Sequence, residues 1–313
     1  MKHILCLTIL VLTLACVDAQ AQGPSKTCPT CGLSMAKCQY HGKHPKPEGN
    51  KPAANKPAAS KPSANKPTAS NPAANKPAGS PSNIKTFNVK GVSFDMVRVE
   101  GGSFTMGATP EIINPEDEEK PAHQVTVSSF LIGKTEVTQA LWKALMKDNP
   151  SYFYDDQMPV QQVSWDMCKT FILALNNATG KTFRLPTEAE WEFAARGGNK
   201  SKHTQYSGSS RIDDVAWYAN NCEAPEKVAK KKPNELGIYD MTGNVWEWCL
   251  DWYQGYTSSA QDNPTGPARG DEGRVVRGGS WGYEAAECRN TYRMGIEPTT
   301  INFGVGFRLV LTE

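Results

Sequence analysis

Residues 46–83 contain no aromatic residue, and from Lys51 onward proline recurs at every fifth position (Pro52, Pro57, Pro62, Pro67, Pro72, Pro77) in near-copies of Lys-Pro-Ala-Ala-Asn. Such a segment has nothing with which to bury a core, and its spaced prolines and lysines favour extended, polyproline-like conformers. It reads as a linker, either a spacer or an inert tether, with a reach of at most about 100 Å at ~3.1 Å per residue. All eight tryptophans lie beyond it, so the capacity to fold is concentrated in residues 84–313. That length suffices for one large domain.

Charge follows the same division. Residues 22–83 carry nine Lys/Arg against one acid, Glu48, whereas residues 84–313 carry 24 against 30, so the net charge of +2 averages a basic tail and an acidic body. A nucleic-acid binder places its basic residues on the folded body, and that class is disfavoured. Residues 1–21 combine a short basic start, an apolar run from Ile4 to Ala15 and an Ala19-Gln20-Ala21 pattern, the marks of a cleaved secretory signal. Leu14-Ala15-Cys16 supports a competing lipoprotein reading, which cleavage after Ala21 outweighs because Thr13 sits where an aliphatic residue is usual. Either route implies an exported protein with no transmembrane span in its mature form, in a compartment where disulfides persist.

Nine cysteines fall into three sets. Cys6 and Cys16 belong to the signal. Cys28, Cys31 and Cys38 sit in residues 22–45 with His41, in the pattern Cys-x2-Cys-x6-Cys-x2-His. Three thiolates and an imidazole at these spacings suit a tetrahedral zinc; disulfide or redox use stays open beside it. Cys168, Cys222, Cys249 and Cys288 belong to the body.

Within the body, alternation at Val92–Val99 and Gln124–Val127 predicts half-buried strands. Helical spacing predicts helices over Thr135–Met146, with Thr135 as cap, and over Asp166–Leu175. A third is predicted from Pro186-Thr187-Glu188 to Ala195, with Thr187 and Glu190 as a capping box and Gly197-Gly198 as its end. Beyond it, periodicity is poor and glycine and asparagine are frequent, so much of the backbone is expected to be irregular. Trp246, Trp248, Trp252 and Trp281 read as core rather than ligand platform, and Cys168 as a core residue.

Six segments then stand in order: Gly102-Ser103-Phe104-Thr105-Met106-Gly107, Lys134-Thr135-Glu136-Val137-Thr138, Arg184 through Glu192 (RLPTEAEWE), Gly243-Asn244-Val245-Trp246-Glu247-Trp248, Arg277-Gly278-Gly279-Ser280-Trp281 and Gly306-Phe307-Arg308. Together they resemble the successive signatures of the formylglycine-generating enzyme, or sulfatase-modifying factor, family. The resemblance implies an α+β, C-type-lectin-like fold with little regular secondary structure, often stabilised by calcium. In the family's oxidases two cysteines after the Gly-Gly-Ser motif bind copper(I) and oxidise a sulfatase cysteine. Here the second position matches Cys288 and the first falls on Tyr283. A pair of soft thiolates is what holds copper(I), so copper is not expected; the extra Cys249 is expected to pair with Cys288 as a disulfide, with a free buried thiol or a catalytic Cys288 as the alternatives.

By the same resemblance, Asp240 and Glu247 would offer carboxylates, and Gly243 and Val245 carbonyls, to calcium, whose preference is for hard oxygen. The family's peptide cleft would lie near Ser280, Tyr283 and Arg293. Only His123 and His203 are available in the body, too few to favour a two-histidine iron site. The reading that follows is an exported protein that keeps the scaffold, lacks the copper oxidase pair, and binds or assembles a peptide, protein or glycan partner of the cell envelope. A formylglycine-generating oxidase, with Cys288 catalytic, is the alternative.

Overall fold

The computed structural model describes residues 83–312; the expected signal, Cys16, the Cys/His segment with Cys28, Cys31, Cys38 and His41, and the linker up to residue 82 lie outside the described residues. In chain order the strands are β1 (Ile84–Val89), β2 (Val92–Val99), β3 (Gly102–Met106), β4 (His123–Val127), β5 (Phe130–Gly133), β6 (Phe183–Arg184), β7 (Trp246–Trp252), β8 (Gln261–Asp262), β9 (Arg274–Arg277), β10 (Arg293–Ile296), β11 (Val305–Gly306) and β12 (Val310–Thr312). The helices are α1 (Gln139–Leu145), α2 (Trp165–Thr179) and α3 (Glu188–Ala195).

Three small sheets result, ordered β1-β2-β5-β12-β6, β10-β9-β7-β11 and β3-β4-β8. The last strand, β12, runs antiparallel between β5 and β6, so the end of the domain closes the sheet that its beginning opens. The alternation predicted for β2 and β4 is present, with β4 buried at His123, Val125 and Val127 and exposed between them. Three small sheets with three short helices make this an α+β fold. Between α3 and β7, residues 196–245 form only two short 3-10 turns, the irregular backbone expected there.

Helix boundaries show which local signals prevail. For α3 both halves of the capping box form: the Glu190 amide donates to the Thr187 hydroxyl at 3.1 Å, and the Thr187 amide to the Glu190 carboxylate at 2.9 Å. For α2 the cap is Ser164, whose side chain accepts from the Met167 amide, and Cys168, Phe171, Ile172 and Leu175 form the buried stripe. The first helix departs from expectation. It begins after Thr138, not Thr135, because Val137 is held extended by its amide to Phe307 O and by Val160 N to its carbonyl, both at 2.9 Å. Thr138 then accepts from the Leu141 amide as the true cap.

One apolar cluster gathers α1, α2, Phe307 and Leu309 around Trp142, which stacks on Phe171 at 5.2 Å. A second surrounds α3 and contains Trp191, Phe193, Met241, Cys249 and Val310. Trp246, Trp248 and Trp281 are buried, as expected of core residues, whereas Trp252 is only half-buried, with the Arg274 guanidinium over its ring at 3.8 Å; Cys168 is fully buried on α2.

Candidate functional site

The charged residues of the signature segments meet in the interior. Arg308, after β11, gives Nε to Glu247 Oε2 at 2.6 Å and Nη2 to Oε1 at 2.5 Å, while Trp191 Nε1 donates to the same Oε2 at 2.7 Å. Arg293 on β10 forks onto Glu188 with two contacts of 2.6 Å. Arg277 on β9 pairs with Glu192 and donates to the carbonyls of Thr291 and Tyr292 at 2.7 and 2.9 Å. Burial alone would push the Glu188 carboxyl up, but the Arg293 and Arg277 guanidiniums hold it below its ordinary value. The pairs of Glu188 and Glu192 tie α3 to β10 and β9, and the Trp191–Glu247 hydrogen bond ties it to β7; the bidentate, desolvated fork of Arg293 is the strong form of such a contact.

This arrangement bears directly on the expected calcium loop. Both oxygens of Glu247 are engaged by Arg308 and Trp191, so Glu247 does not fit the role of a calcium ligand. Asp240 Oδ2 accepts from the Ala229 amide at 2.7 Å, and Asp240 Oδ1 is buried without a partner. Burial pushes the Asp240 carboxyl up to about 6. Gly243 is held by a different necessity: at φ +74° its missing Cβ would lie 2.1 Å from Trp217 O. Among the described residues no three His, Cys, Asp or Glu side chains gather to hold a metal ion. A neighbour that motif reading did not single out, Glu136, stands beside Asp240 with Oε2 unpartnered and Oε1 accepting from Asn244 at 3.0 Å. Burial, then the nearby Asp240 and Glu247 charges, raise its carboxyl well above the usual range. It lines a cavity of about 360 Å³ with Asp95, Lys134, Thr138 and Ala229.

Of the residues expected at the peptide cleft, Ser280 and Tyr283 are adjacent, the Tyr283 amide donating to Ser280 O at 3.0 Å. Ser280 is 1% exposed and Arg293 4%, the latter spent on Glu188; Tyr283 is half-buried, with its ring edge-on to Trp246 at 5.2 Å. Arg293 instead borders a separate pocket of about 200 Å³ with Glu116, Glu118, Glu272 and Tyr253. Around Ser280 lies a run of aromatic contacts, Tyr152–Phe153, Phe153–Trp281 and Trp281–Phe303, at 4.9, 5.6 and 5.8 Å. Tyr154 and Ile301, 73% and 54% exposed, stand on the neighbouring loops. No local pattern marked this surface, because residues 152–154 lie 127 to 151 positions from Trp281, Ile301 and Phe303.

The four body cysteines are free thiols. The expected Cys249–Cys288 disulfide is absent because the two sulfurs belong to different packing environments: Cys249 lies in the cluster of α3, Cys288 against Ala216 and Tyr218. Burial drives both thiols well above their ordinary pKa. Cys288 is pinned from the other side by Gly279, where any Cβ would come within 2.4 Å of its sulfur. His123 is buried against Tyr256, His203 exposed.

Residues 82–313 match the family model for the sulfatase-modifying factor enzyme 1-like domain. The chain belongs to this family. Among curated relatives it is similar to chaperone protein LppX of Paenibacillus barcinonensis, 34% identical over 273 residues, covering 71% of this chain and 91% of the relative. It is 29% identical over 283 residues to the formylglycine-generating enzyme of Streptomyces coelicolor, covering 68% and 87%. The solved Treponema denticola variable protein 1 superposes with a TM-score of 0.66 at 33% identity, over 74% of this chain and 99% of that one. In the sulfatase-modifying-factor frame, the signature acids Glu188, Glu190, Glu192 and Glu247 are ion-paired with arginines, whereas Glu136 keeps a buried oxygen without a partner.

Proposed function

We propose that this chain is an exported protein that uses the sulfatase-modifying-factor scaffold to bind or assemble a peptide, protein or glycan partner in the cell envelope, without the copper oxidation that makes formylglycine. The observation that carries the reading is Tyr283. A phenol stands where the oxidase pattern places its first cysteine, and Cys288 is fully buried with its thiol held protonated. A soft metal needs thiolates presented together, and Cys288 and Tyr283 do not supply them. The exposed Tyr152, Tyr154 and Ile301, with half-buried Phe153 and Phe303 beside them, support a binding role, since tyrosine rings with a polar tip suit both peptide and sugar contacts. The similarity to a protein named as a chaperone points the same way. Calcium enters this proposal only through Asp240 Oδ1 and the carbonyls of Gly243 and Val245, leaving Glu247 with Arg308. Zinc at Cys28, Cys31, Cys38 and His41, and export by cleavage after Ala21 or lipidation at Cys16, are parts of the same proposal.

The test is incubation of the purified protein with copper, oxygen and a peptide bearing Cys-x-Pro-x-Arg, followed by mass spectrometry. The peptide cysteine is expected to remain a thiol or form only disulfides. Appearance of the aldehyde product would overturn the reading in favour of the oxidase.

A further inference from the structure

Cys222, which no motif marks, sits on the segment that packs against Cys288. Its Sγ lies 3.4 Å from Tyr218 O and 3.9 Å from Trp281 O. Cys288 packs against the same Tyr218 and against Ala216, with Tyr283 and Ala285 alongside. The two segments are joined by the Ala219 amide donating to Tyr283 O at 2.9 Å. Gly279 closes one side of Cys288, and residues 216–218 form another. Cys222 is close enough to act on Cys288: after burial and Glu287, it is among the groups that raise the Cys288 thiol. Cys249 and Cys168 lie in other clusters.

We propose that Cys222 and Cys288 form an oxidation site, a thiol pair that closes to an intramolecular disulfide and ties residues 216–222 to residues 281–288. The inference rests on the export reading for its oxidant in the cell, a disulfide-exchanging thiol compound. The chemistry balances with glutathione disulfide. Cys222, half-buried and with its thiol pushed up to about 11 by burial and Glu226, is the less shielded sulfur. Its thiolate attacks one sulfur of the oxidant, releasing one glutathione thiolate and leaving a mixed disulfide. Cys288 loses its proton and displaces the second glutathione, forming the protein disulfide; two protons and two electrons have passed to two glutathione thiols. Because only thiolates attack and both thiols are held protonated, the reaction is slow at neutral pH and accelerates as pH rises. The bond would span the shelf on which Tyr283 sits, fixing the loop that borders the aromatic surface.

The test uses the full chain, since its tail thiols are competitors that must be present. The protein is equilibrated with glutathione disulfide at pH 7 and pH 9, alkylated and mapped after proteolysis without reductant. Expected is a peptide pair joined through Cys222 and Cys288, forming faster at pH 9, with a higher melting temperature that reductant reverses. Cys222→Ser abolishes the pair and the melting shift while the reduced melting temperature stays as in the parent; Cys249→Ser leaves both intact. Recovery of Cys222 and Cys288 as alkylated thiols after prolonged oxidation overturns the proposal. So does Cys288 joined to Cys249, or Cys222 joined only to Cys28, Cys31 or Cys38. None of these outcomes touches the peptide-oxidation assay, so failure here is distinguishable from failure of the binding reading.

Discussion

Glu247 is the residue at which chemical type and structural role part most clearly. A glutamate seven residues after a loop aspartate, Asp240, invites a cation, yet its two oxygens face a guanidinium that is itself fully buried. Breaking a buried pair by removing one partner leaves an uncompensated charge and costs about 3–5 kcal/mol. Glu247→Ala is therefore expected to lose stability of that order in urea unfolding, equally with chelator and with calcium present. A loss that appears only with calcium would return Glu247 to metal binding. Asp251 makes a second case. It is 4% exposed and accepts from the Glu188 amide at 2.9 Å, and burial, followed by the adjacent Glu188, pushes its carboxyl up to about 8. An acid whose folded pKa is raised binds its proton more tightly in the folded state, so its contribution is fully present at low pH and is lost as pH rises through the folded value. Thermal stability should accordingly decline between about pH 4 and pH 8. Asp251→Asn, which keeps the acceptor oxygen, should flatten the upper part of that decline in a melting series.

Among the elements, the helix starts show how far local code reaches. Thr187 with Glu190, and Ser164, cap α3 and α2 from contacts within three residues, and the capping box of α3 was legible because nothing tertiary contests it. At α1 the same kind of signal pointed to Thr135, and a strand-like contact of Val137 with Phe307, 170 residues away, moved the start to Thr138. Loss of an N-cap hydroxyl costs about 1 kcal/mol. Thr138→Ala should show that cost in denaturant midpoint and Thr135→Ala, whose hydroxyl donates only to Glu136 O, should show much less. The reverse ranking would mean that the helix begins a turn earlier in solution.

For the whole molecule, the decisive position is the shelf of Tyr283. If the scaffold otherwise retains the oxidase pocket, Tyr283→Cys, with Cys288 kept reduced, should gain copper(I) affinity in a competition titration against a copper(I) chelator. No gain would mean that burial of Cys288 beneath Ala216 and Tyr218, rather than the phenol alone, closes the site. The same enclosure explains why the thiols failed to pair as expected. Cys249 and Cys288 are separated by 39 positions along the chain, which says nothing about the direction in which either sulfur points.

What the sequence determined by itself is the division into an aromatic-free, proline-repeating stretch and a tryptophan-rich body, the family, the fold class and the helices that local caps specify. Each depends on neighbours within a few residues or on ordered motifs, and such information survives in one dimension. What only the tertiary structure decided is the partner of each buried group: Arg308 for Glu247, Glu188 for Arg293, Glu136 beside Asp240, and Cys222 rather than Cys249 near Cys288. The physical reason is that a carboxylate or thiol taken out of water is governed by whichever group is packed against it. In a fold made largely of irregular backbone, that group arrives from a segment whose distance along the chain carries no trace of the encounter.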